Sequence, residues 1–191
     1  MDNYTHYYRL MGREAGRNRM YSIGEKIMYG GTGVCTVQEI TPVRMSSQEN
    51  PRLYYVLKPL YQSGTIQIPV DNTKVPIRPV MTRAEAEQLV DGIPYIHASI
   101  CYEKNLTALR NHYQQQLNTF DCRDLVRMTK SIYAKKKDAE SRQKKIGMTD
   151  EKFLRRAEDL LFGELAVALD IARDDVRGYI SERLRATAEK I

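Results

Sequence analysis

From Tyr21 to about Val80 the apolar positions follow the two-residue period of strands. Ile23, Ile27 and Tyr29 come first, then Val34, Thr36 and Val37, then the run Leu53, Tyr54, Tyr55, Val56, Leu57, and last Thr65 to Val70. Turn-forming stretches separate them: Gly30, Gly31, Thr32 and Gly33; residues 46–51; Gln62, Ser63 and Gly64; Asp71 and Asn72. Short strands with no helical segment between them predict a small antiparallel barrel. Some 60 residues supply little core, so an edge of such a sheet would stay open and offer unpaired N–H and C=O groups to another protein.

After Pro79 the period lengthens to that of helices. Thr82 to Glu85 fits a capping box that opens a short helix to about Asp91, broken by Gly92 and Pro94. A second helix is expected from about Ala98 to Leu117, burying Ile100, Leu106, Leu109 and Tyr113. Asp121 can cap a third, with Cys122, Leu125, Val126, Thr129, Ile132 and Tyr133 as its apolar stripe. Thr149 is expected to cap a fourth, whose first turn carries Asp150 and Glu151 where the helix dipole favours acids. Its buried face runs from Phe153 to Leu169. A fifth begins near Asp174 and uses Val176, Tyr179, Ile180 and Leu184. The prediction is an α+β chain: residues 20–80 a β domain, residues 81–191 a bundle of about five α-helices, with a boundary near residues 76–82. Residues 1–19, polar and without apolar periodicity, read as an extension, either a disordered arm or a consequence of start-codon choice.

Composition narrows the function. Of 191 residues, 42 % are hydrophobic and 28 % charged, and no stretch approaches the roughly 20 apolar residues of a membrane span. With no apolar signal segment at the start, the expected location is the cytoplasm. Cys35, Cys101 and Cys122 are widely spaced, and with His6, His97 and His112 they form no metal-ligand pattern, so they read as small buried thiols. The glycine cluster lacks the Gly-Lys-Ser/Thr that heads a phosphate-binding helix and reads as a hairpin turn. His97 and Cys101 sit four residues apart, but nothing supplies an oxyanion site or an orienting partner. No catalytic constellation is visible, and a non-enzymatic protein is expected.

The net charge of +6 is unevenly placed. Residues 123–156 hold twelve Lys or Arg against five Asp or Glu; from 157 onward the count is five against eight. Arg123, Arg127, Lys130 and Lys137 recur at spacings of 4, 3 and 7, on one face of the third helix opposite Leu125, Val126 and Ile132. Lys135, Lys136, Arg142, Lys144 and Lys145 are expected to carry the charge beyond that helix. A solvated face is the plain explanation; phosphate contact is the functional one. Such contacts position a protein and do not read bases.

Several segments resemble the CarD-type transcription regulators, whose first domain is shared with transcription-repair coupling factors. They are Tyr21 to Val34 (with Gly24, Tyr29 and Gly33), Tyr54 to Lys58, Thr65 to Asn72, Tyr102 to Leu106, and Leu160 to Ala166 with Glu164. The resemblance implies a Tudor- or SH3-like barrel that docks on the RNA polymerase β-subunit lobe. It also implies a helical domain contacting promoter DNA, without sequence specificity, at the upstream edge of the bubble, so that open-complex stability is modulated. On that basis Arg44, Tyr55, Lys58, Ile66, Gln67 and Ile68 are the candidate polymerase contacts, and Lys104, Arg110, Arg123, Arg127 and Lys130 the candidate DNA contacts. No cofactor, small-molecule substrate or membrane is implied. Several positions depart from the family; the basic residues that often flank its tryptophan are replaced by Ile100, Cys101 and Glu103, with Lys104 remaining. Its tryptophan wedge falls at Ala98, and an alanine methyl cannot insert between base steps, which leaves Tyr95 or His97 as substitutes. Its docking arginine before Pro69 is Gln67. The alternative is a polymerase-docking adaptor that leaves DNA alone.

Overall fold

A computed structural model describes residues 20–44 and 51–188. The extension 1–19 and most of the turn at 46–51 lie outside the described residues. Five strands, β1 (Lys26–Tyr29), β2 (Gly33–Val43), β3 (Arg52–Pro59), β4 (Ile66–Pro69) and β5 (Ile77–Pro79), form one antiparallel sheet in the order β4-β3-β2-β1-β5. Five α-helices follow: α1 (Arg83–Gly92), α2 (Leu106–Leu117), α3 (Cys122–Ser141), α4 (Met148–Leu169) and α5 (Val176–Ala188). The α+β order is as the sequence predicts.

Alternate residues of the sheet build its core: Ile27 on β1, Cys35 and Val37 on β2, Tyr55 and Leu57 on β3, Ile68 on β4. The glycine cluster makes a 3-10 turn between β1 and β2, and Gly33 closes it at φ 89, a value that suits glycine. One residue later the other face of the sheet begins to meet α4. A Cβ on Gly33 would stand 3.3 Å from Leu160, and one on Gly163 3.0 Å from the Tyr61 ring, so both glycines mark close approach between sheet and helix.

The central helix α4 packs on α1, α2, α3, α5 and β2. Thr82 and Glu85 form the expected capping box at α1, and Asp121 caps α3 through the Arg123 N–H, 2.7 Å away. Three expectations are corrected. The second helix starts at Leu106, because the Asn105 side chain accepts from the Thr107 and Ala108 N–H groups and halts the chain there in an extended conformation. Residues 96–105 are irregular, and Leu106 is 59 % exposed, so neither it nor Ile100 supplies a buried helix face. Gly147, not Thr149, stands at the N-cap of α4. And α3 continues to Ser141, so Lys135 and Lys136 lie on the helix with Lys137, not past it.

Cys35 is wholly buried, and burial pushes its thiol up to about 11 from 9.0. Burial, and then the Glu164 carboxylate, pushes the buried Cys122 thiol up as well. Iodoacetamide at about pH 8 should therefore label Cys101, half-buried in the irregular segment, well before the other two. Equal rates at all three in the native protein would contradict this burial. Since the folded Cys35 thiol ionises above its ordinary value, its contribution to stability is intact below pH 9.0 and fades as pH rises toward about 11.

Candidate functional site

Among the described residues, the strand β4 is bordered in the sheet by β3 alone. Val70, just past it, donates its N–H to the Leu53 carbonyl at 2.9 Å. Antiparallel pairs alternate between bonded and non-bonded, so Ile68 turns its backbone groups toward β3 while Gln67 and Pro69 turn theirs outward. Pro69 has no N–H to offer. The Gln67 N–H and C=O, with the Pro69 C=O, are thus the backbone groups that β4 turns away from β3. Gln67 is exposed and Ile66 half-exposed beside it.

The predicted docking residues divide accordingly. Gln67, Ile66, Lys58 and Arg44 reach solvent to different degrees. Tyr55 and Ile68 do not: they are 1 % and 5 % exposed and belong to the sheet core. The Tyr55 hydroxyl accepts the Tyr21 N–H at 2.9 Å, so the tyrosine closes the sheet over its own core. The side chains of Tyr55 on β3 and Ile68 on β4 both turn into the core, away from the surface. Their alternation within the sheet, visible in the sequence, gave the signal for this.

The predicted cationic residues divide as well. Arg123 and Arg127 are exposed on the first turns of α3, where Arg127 pairs with Asp124. Arg110 is exposed on α2. Lys104 is exposed at the other end of the α2–α3 pair, beside Tyr102, whose hydroxyl donates to Asp138 at 2.8 Å. Residues 123 and 138 are about 22 Å apart along α3, so the candidates do not form one patch. Lys130 is corrected: its ammonium donates to the carbonyls of Ile93 (2.7 Å) and Ile96 (2.6 Å) and, more weakly, Pro94 (3.4 Å). That charge braces the 3-10 turn Ile93–Tyr95. The turn holds Tyr95 outward, 68 % exposed, while Ala98 is half-buried. Lys135 is likewise spent inside, on Asp150 at 2.9 Å.

The residues missed in the sequence are those that join the two halves. Glu164, 0 % exposed, accepts two hydrogen bonds from Arg78 on β5, one at 2.7 Å, together with the Met81 N–H at 3.0 Å and the Cys122 thiol at 3.0 Å. Arg78 also donates to the Phe120 carbonyl at 3.3 Å. Its hydrogen bonds to the Glu164 carboxylate hold the Arg78 guanidinium above its usual range, against the lowering that burial alone would bring. A glutamate inside the apolar run Leu160–Leu165 was a visible sign of a buried charge in need of a partner. Arg156 of α4 adds a second tie by donating to the Gly31 carbonyl, and Tyr61 a third by donating to the Gly163 carbonyl at 3.4 Å. The open edge and the helical half are therefore held in fixed relation.

Residues 21–81 match the family model of the CarD-like/TRCF RID domain. The match takes in all five strands and ends one residue before the cap of α1. No curated protein matches the chain.

Proposed function

Starting from residues 21–81 as a CarD-like/TRCF RID domain, and so a module for RNA polymerase interaction in transcription, we propose that the protein is a non-catalytic regulator of initiation. The sheet is read as a Tudor- or SH3-like barrel left open between β4 and β5. Its β4 edge docks on the polymerase β-subunit lobe by adding to a strand of the partner. The helical half reaches promoter DNA near the upstream edge of the bubble and alters open-complex stability, in the cytoplasm of a bacterium. The observation that carries the reading is the unpaired edge of β4 in a domain of this family.

Gln67→Pro tests the docking. It removes the outward N–H without touching a β3–β4 bond, and a proline is already accepted two residues on in the same register. Binding of the full chain to the isolated β lobe should weaken by about tenfold or more, roughly one charge-neutral hydrogen bond plus lost strand fit. Unchanged affinity in a folded variant would overturn the edge as the docking site. For the DNA side, Arg123→Glu should lower the salt dependence of promoter-complex binding by about one unit of slope, a value for one phosphate contact. Lys130→Glu is unsuited to this test, since it would also release the turn under Tyr95.

The adaptor reading, docking without DNA contact, keeps one observation in its favour. Lys130 and Lys135 spend their charge on the protein itself, which thins the basic face of α3. A salt slope that stays unchanged in Arg123→Glu would support it.

A further inference from the structure

Where the sheet meets the helices lies a cleft of about 550 Å³, a size typical of small-ligand sites. Its walls come from both halves: Gly31 and Val75 on the sheet side, α2 and α4 on the other. Leu117, Phe120, Phe153 and Leu160 give it an apolar lining with two aromatic rings. Phe120 sits at φ 53, uncommon for a residue with a side chain, and Arg78 holds its carbonyl, so the ring is set in the wall by bonds from behind.

The charges in the lining that are not neutralised are of one sign. Lys152, Arg155 and Arg156 follow one another at helical spacing along α4 and line the cleft together. Arg156 is turned to Gly31, while Lys152 and Arg155 make no hydrogen bond or ion pair with the described residues. The acid in the lining, Asp159, is neutralised by Arg173. Gln114 donates to Asn118 at 2.8 Å, which leaves the Asn118 amide N–H groups open as donors.

We propose that this cleft binds a nucleoside polyphosphate, with the base against Phe120 and Phe153 and the phosphates against Lys152, Arg155 and Arg156. Aromatic rings give a planar base a stacking surface, and unpaired cations with amide donors suit phosphate oxygens. A duplex would use the cations and leave a concave apolar lining empty, so the shape favours a small ligand. The site is separate from the β4 edge, and its ligand would touch both halves of the molecule.

The test is calorimetric titration of the full chain with ATP and GTP, beside adenosine, inorganic pyrophosphate and a short duplex. Saturable binding of a nucleotide is expected, with pyrophosphate and adenosine each weaker by about tenfold or more. The double variant Lys152→Ala/Arg155→Ala changes exposed helix positions to the best helix former, so it should fold, and it should weaken the nucleotide by about tenfold or more. Three results would each overturn the proposal: no nucleotide binding up to about 1 mM, pyrophosphate as tight as nucleotide, or no effect of the double variant. Loss of duplex binding alone in that variant would make the surface a nucleic-acid contact and also overturn it. Affinity for the polymerase lobe should be the same in variant and parent, which separates this site from the docking edge.

Discussion

Alanine in place of Arg78 is expected to lower the stability of the chain by about 3 kcal/mol, the low end of what removing one partner of a buried ion pair costs. The low end applies because the Arg78 side chain is 36 % exposed, so water softens part of the loss. Glu164 has no such recourse. It would keep the Met81 N–H and the Cys122 thiol but lose every charged donor. The Phe120 carbonyl would lose its hold at the same time. Denaturant midpoints measure the loss, and a change under about 1 kcal/mol would refute the role given to the pair. The pair Arg78→Met/Glu164→Leu should recover much of what Arg78→Ala loses, because neither charge is then left buried alone. If the double change is instead as damaging as the sum of its parts, packing and not charge governs the junction.

Lys135→Met should cost a similar amount, about 3 kcal/mol, because it too strands a buried carboxylate. Asp150 is 3 % exposed in the first turn of α4, with its Oδ1 shared between Lys135 at 2.9 Å and the Tyr113 hydroxyl at 2.7 Å. Methionine replaces the stem of the lysine but not its charge, which leaves a buried carboxylate with one neutral donor. Burial, reinforced by Asp150, pushes the Tyr113 hydroxyl up, so the tyrosine stays a donor across the working pH range. Lys136 and Lys137 are exposed neighbours on the same helix, and alanine there should change stability by no more than about 0.5 kcal/mol. If all three lysines behave alike in unfolding experiments, the cluster under α4 is not what the geometry implies.

These lysines mark where the sequence stopped being legible. Local chemistry was readable. The capping box at Thr82 and the cap at Asp121 are set by side chains bonding backbone a few residues away, and both are present. The two-residue period through Ile27, Val37, Tyr55 and Leu57 was enough to place antiparallel strands there, and all four residues lie in the sheet core. Residues 98–105 failed because what holds them comes from far along the chain. Ser131 donates to the Ser99 carbonyl at 2.6 Å, Lys130 to the carbonyl of Ile96, and Tyr102 to Asp138. A helix there would have had to give up those bonds. Lys130 and Lys135 failed for the same reason: a lysine facing solvent and one turned to a distant carbonyl, as Lys130 is, or to a carboxylate on the next helix, as Lys135 is, look alike in sequence. The cleft was out of reach because its cations and Phe153 lie on α4, while Phe120 lies on a loop and the rest of the wall on α2 and the sheet side, far away in sequence.

The proline that ends β4 also limits what the strand can become. A flat run of outward amides invites a second molecule of the same kind to zip alongside, and long ladders of that sort lead to aggregates. Here the border is four residues long and supplies a single N–H before the pyrrolidine ring interrupts it. A foreign strand with side chains shaped for Gln67 and Ile66 can compensate for so brief a ladder, while an identical copy brings only another interrupted one. On the docking reading proposed above, the same residue that shortens the grip also disfavours pairing between two copies of β4.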